Sequence, residues 1–107
     1  MDILTAARSG TRHALAVGDE IAVELDENPT TGYRWQVAVD TDALRVVDDG
    51  FTPASAAAGA SGVRRFTVTA LREGAPELRL RKLRSWQPDD VVDEFVVTLD
   101  VSRAPSR

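Results

Sequence analysis

The chain has 107 residues, with 13 basic and 17 acidic side chains, a formal charge of −4, and an ordinary globular balance of 43% hydrophobic and 28% charged residues. That suits one domain, residues 1–107, with a single hydrophobic core, and it disfavours a generic role on nucleic acid or on an anionic membrane. There is no cysteine, which excludes disulfides, thiolate metal sites and a cysteine nucleophile.

No apolar run approaches membrane-spanning length and residues 1–10 lack the apolar core of a signal peptide, so a soluble, cytoplasmic chain is expected unless a leader precedes it. The first ten residues and residues 102–107 read as loosely ordered tails, the first with some edge-strand character. Between them, period two dominates. Residues 13–17 form a short strand candidate. Ile21, Val23 and Leu25 then alternate with Ala22, Glu24 and Asp26. Tyr33, Trp35, Val37 and Val39 alternate with Arg34, Gln36 and Ala38, which predicts Trp35 in the core. Residues 43–47 are a second short candidate. Phe66, Val68 and Ala70 alternate with Arg65, Thr67 and Thr69, Leu78 and Leu80 with Arg79 and Arg81, and Phe95, Val97, Leu99 and Val101 with polar or smaller neighbours. Alternation of this kind marks strands with one face on a core and one in water. Turn residues separate them at Gly18-Asp19, Asp48-Asp49-Gly50, residues 73–76 and residues 88–90. No segment sustains a helical period over three turns. The expected fold is all-β, an immunoglobulin-like β-sandwich of about seven antiparallel strands.

Three connections depart from short turns. The first is Asn28-Pro29-Thr30-Thr31-Gly32-Tyr33. Pro29 fixes its own φ and pushes Asn28 toward extended geometry, Asn28 can bond its own backbone two residues on, and Gly32 tolerates positive φ. The two threonines are stiff at χ1 and are read as displayed outward. The second connection is residues 49–62, in which residues 54–62 are only Ala, Ser and Gly; it is expected to be mobile. The third is Arg84-Ser85-Trp86-Gln87-Pro88, a large aromatic between two strands. In a sandwich these three connections gather at one end.

These residues resemble the chagasin-like inhibitors of papain-type cysteine peptidases. That family carries Asn-Pro-Thr-Thr-Gly followed by Tyr or Phe in its first loop, which Asn28 to Tyr33 matches residue for residue. Its second loop carries Gly-x-Gly-Gly, to which Gly59-Ala60-Ser61-Gly62 is similar with Ser61 in place of a glycine. Its third carries Arg-Pro-aromatic, to which Arg84-Ser85-Trp86 is similar with Ser85 in place of the proline. The resemblance implies an immunoglobulin-like sandwich and reversible, non-covalent, tight-binding inhibition of a papain-family cysteine peptidase, with no cofactor and no catalytic residue. It also implies roles. Thr30 and Thr31 plug the catalytic cleft, with Gly32 permitting the turn. Trp86 packs on the leaving-group side, and the backbone of residues 59–62 lies along the substrate groove on the other. Tyr33 sits at the loop edge and is read as a prop.

Other readings are weaker. The run Arg79, Arg81, Lys82, Arg84 looks like a nucleic-acid patch, yet alternation puts Arg79 and Arg81 on one solvated strand face. His13 is the only histidine and has no ligand partners nearby in sequence, so no metal is expected. An enzyme needs a nucleophile and a base, or a metal, and the paired aspartates at 48–49 and 89–90 are good turn residues. A sandwich module binding some other protein remains the alternative. A monomer is the default.

Overall fold

The period-two rows become the inner faces of two four-stranded sheets. The computed structural model describes residues 1–57 and 59–104. Its strands are β1 (Asp2–Leu4), β2 (Arg12–Ala16), β3 (Glu20–Glu27), β4 (Arg34–Ala38), β5 (Leu44–Pro53), β6 (Gly62–Ala70), β7 (Glu77–Leu83) and β8 (Asp93–Ser102). One sheet has the order β1-β3-β6-β5 and the other β2-β8-β7-β4. Phe66 and Val68 of the first sheet face Leu78, Leu80, Phe95, Val97 and Leu99 of the second, all 2% exposed or less. At about 1.5–3 kcal/mol for each large apolar side chain removed from water, this double row is what holds the sheets together.

The sandwich is as expected; its count and pairing differ. Eight strands stand among the described residues, and two pairings are parallel: β1 beside β3 and β2 beside β8. Alternation reports which face a residue occupies, not which neighbour it pairs with, so an N-terminal segment divided between the two sheets left no mark. Residues 2–4 form the edge strand of their sheet, with Leu4 3% exposed, which agrees with the edge-strand character of the first tail but not with loose order there. Of the other tail, Ser102 ends β8, and residues 105–107 lie outside those described.

Asp48-Asp49-Gly50 does not turn the chain. It is a bulge inside β5, where Asp48 Oδ1 accepts the Gly50 N–H at 2.8 Å, Gly50 takes φ 102°, and the register with β6 slips. A bulge absorbs an extra residue while the strand runs on. The second long connection therefore shrinks to residues 54–61, the tip of a β5–β6 hairpin; Ala58 within it, and the mobility expected there, lie outside what is described. Trp35 is buried, but Val37 is 38% exposed, because β4 is an edge strand and its inner side opens onto a cleft shared with Leu44 and Val46 of the opposite edge strand, β5.

Candidate functional site

The first loop starts at the end of β3 in one sheet and re-enters at β4 in the other. Its neck is clamped across the sheets: the indole Nε1 of Trp35 donates to the Asp26 carbonyl at 2.9 Å, and Lys82 Nζ donates to the same oxygen at 3.2 Å. Above the neck, Pro29–Thr31 form one 3₁₀ turn. Asn28 caps it: its Oδ1 accepts the Thr30 N–H at 3.1 Å and the Thr30 hydroxyl at 2.7 Å. The Thr31 hydroxyl donates to the Asn28 carbonyl at 2.8 Å and accepts the Tyr33 N–H at 3.3 Å. Gly32 ends the turn at φ 79°, in the left-handed region. The threonine hydroxyls read as displayed are therefore engaged within the loop. Both residues stay exposed, as a stiff and uncharged tip. Asn28→Ala removes the cap at about 1 kcal/mol. The expected result is about fivefold weaker inhibition with a fall in melting temperature of about 5 °C or less, and an unchanged inhibition constant would show that the cap does not set the tip.

The third loop is a tight turn. The Gln87 N–H donates to the Arg84 carbonyl at 3.0 Å, which puts Ser85 and Trp86 at its two central positions. Ser85 thus sits where proline pre-sets φ in common turns and where most other residues are also accepted. Trp86 is 67% exposed. A Cβ on Gly32 would lie 2.7 Å from its Cη2 atom, so the ring rests over Gly32. Arg84 fastens the two loops: its Nε donates to the Thr31 carbonyl at 3.1 Å, and its guanidinium lies 4.2 Å from the Tyr33 ring centroid and 5.9 Å from that of Trp86. Tyr33 is held from its other end by a 3.5 Å contact of its hydroxyl with Asp90.

The second loop lies beside the first on the other flank, where a Cβ added at Gly59 would come within 3.6 Å of Thr30 Cγ2. Gly59 has φ 75°, and the Ala60 N–H donates to the Ala57 carbonyl at 3.2 Å. Ser61 closes the hairpin tip by accepting the Ala54 N–H at 3.0 Å. It does not take positive φ, so nothing in the backbone there demands glycine. Gly62 departs from its expected place in the loop. It is buried as the first residue of β6, where a Cβ would lie 2.1 Å from the Thr52 carbonyl oxygen. Its backbone packs closely between β3 and β5.

Residues 27 and 64 belong to the site region without belonging to any of the three motifs. Glu27 is 1% exposed, the one buried charged residue of the described set. Arg64 meets it at both carboxylate oxygens, Nη2 at 2.8 Å and Nε at 3.1 Å, and reaches Asp48 with Nη1 at 3.2 Å. The Arg64 guanidinium is held above its usual pKa chiefly by the bond to Glu27. The signal was present: Glu27 continues the inward row Ile21, Val23, Leu25, and Arg64 continues Phe66 and Val68.

No group of His, Asp or Glu able to hold a metal occurs among the described residues. What the arrangement offers is a shaped surface: an uncharged, internally bonded tip flanked by a small-residue hairpin and an exposed tryptophan. That defines a protein that binds another macromolecule by fit. The chain belongs to the chagasin family of I42 peptidase inhibitors, whose model matches residues 14–101, and so to a family of inhibitors and not of enzymes. It is 31% identical over 103 residues to chagasin from Trypanosoma cruzi, covering 90% of this chain and 94% of that protein. Its fold is similar to that of the cysteine protease inhibitor EhICP2 from Entamoeba histolytica, with TM-score 0.81, 22% identity and 94% of each chain covered. It is also similar to that of PbICP-C, solved in complex with falcipain-2, with TM-score 0.70, 14% identity, and 95% of this chain and 100% of that one covered.

Proposed function

We propose that this chain is a reversible, non-covalent inhibitor of papain-type cysteine peptidases that seats its three loops in and beside the catalytic cleft. The observation that carries the reading is the seating of Trp86 over Gly32 on one flank of the first loop, with Gly59 beside Thr30 on the other, so that the three loops lie side by side. Membership of a peptidase-inhibitor family supports it. A tip whose hydroxyls and amides are already bonded to one another loses little freedom when it binds. With no charge between Asn28 and Tyr33, the tip also enters a narrow cleft without the cost of stripping water from an ion. Thr30, Thr31 and Gly32 fill the cleft, Trp86 anchors one side as buried aromatics commonly do, and Gly59, Ala60 and Ser61 line the other. The wedge presents no bond that need be cut and no nucleophile, so the enzyme is blocked by occupancy alone.

The test is competition and recovery with papain. A peptide substrate should raise the apparent inhibition constant linearly with its concentration, and activity should return after large dilution. Inhibition insensitive to substrate, or activity that never returns, would contradict blockage of the cleft by reversible binding.

A further inference from the structure

The inward rows of β3 and β6 run as hydrophobic core until the loop end, where they finish on a carboxylate and a guanidinium instead of two more apolar side chains. Glu27 is the residue immediately before the first loop and Arg34 the residue immediately after Tyr33; Arg34 Nη1 approaches Glu27 Oε1 at 3.4 Å. Arg64 lies two residues into β6, just past the second loop, and is paired across the sheet with Leu25 on one side and Phe51 on the other. Its guanidinium stands 5.9 Å from the Phe51 ring centroid and also holds Asp48. One buried carboxylate therefore bonds the strand that leaves the second loop while touching both ends of the first.

We propose that Glu27 is a positioning residue that fixes the spacing and tilt of the first loop against the second, so that the wedge is held in its binding shape before it meets a target. This rests on the inhibitor reading. A buried ion pair is seldom the most stable filling for such a place, since well-packed apolar residues of similar volume are often as good or better. What the pair has and an apolar pair lacks is direction: a two-point guanidinium–carboxylate contact admits one relative orientation of the strands that carry it, whereas methyl and methylene groups slide. The strands it orients, β3 and β6, are those that lead into the first loop and out of the second, where Thr30 and Gly59 lie side by side.

The distinguishing variant replaces both partners, Glu27→Met with Arg64→Met, which keeps volume and removes the directional contact without leaving a lone buried charge. The expected result is a melting temperature close to the parent's together with inhibition of papain weakened about tenfold, the loss lying in faster dissociation. In the free protein, the Thr31, Gly32 and Ala60 amides should exchange with solvent faster than the parent's. Inhibition and loop exchange both equal to the parent's, in a folded double variant, would overturn the proposal. Should the double variant not fold, Arg34→Met removes the exposed partner alone and should weaken inhibition about threefold, and no change there would overturn it. If the parent itself does not inhibit papain, the inhibitor reading fails, and the exchange measurement alone decides the role of Glu27.

Discussion

Alanine at position 62 destabilises the fold by about 3 kcal/mol, seen as a fall in melting temperature of about 10–20 °C. The added methyl carbon would sit 2.1 Å from the Thr52 carbonyl oxygen and 2.7 Å from Pro53 Cα, with the Phe51 ring at 2.8 Å. Two of those neighbours are backbone, so no side-chain rotation relieves the clash; β5 must move away from β6 at the foot of the second loop. Because Gly62 also pairs with Glu27 in the β3–β6 register, the displacement reaches the ion pair beneath the first loop. Thermal unfolding of Gly62→Ala checks this, and a melting temperature within a degree or two of the parent's would mean that the strands are not held this close.

Trp86→Ala has the opposite signature. It is expected to weaken inhibition about 30-fold or more, about 2 kcal/mol, and to leave thermal stability nearly unchanged. The ring is 67% exposed and packs chiefly over Gly32, so the fold loses little with it, while a partner that covers it loses its largest apolar anchor. The inhibition constant and the melting temperature, measured on the same preparation, separate the two effects. An unchanged inhibition constant would remove Trp86 from the interface. A large fall in melting temperature would make it a structural residue.

The two substitutions mark where the sequence is legible. The tip of the first loop could be read residue by residue because its chemistry is local: a proline, an Asx cap and a glycine specify their own turn. The strands and the burial of Trp35 followed from alternation. Alternation failed where a residue's environment depends on a strand far away in the chain. Gly62 looked like loop because glycine beside serine and alanine is common in loops, and only its two neighbours, β3 and β5, show it to be a close-packed strand residue. Asp48-Asp49-Gly50 has a turn's composition, but its partner β6 continues past it, so the same residues make a bulge. Glu27 and Arg64 fall on inward rows, but charge is a strong cue for solvent, and only the pairing seen in the fold makes their burial tolerable. Ser85 and Ser61, which depart from the family motifs, occupy positions that serine's backbone accepts.

On the proposed function, one end of this sandwich closes the cleft of a papain-type cysteine peptidase. This is tested most directly by titrating a known concentration of active papain with the purified protein. Activity is expected to fall linearly and reach its floor near one inhibitor per active enzyme. Full papain activity at large molar excess, repeated with several cathepsin-like enzymes, would contradict it.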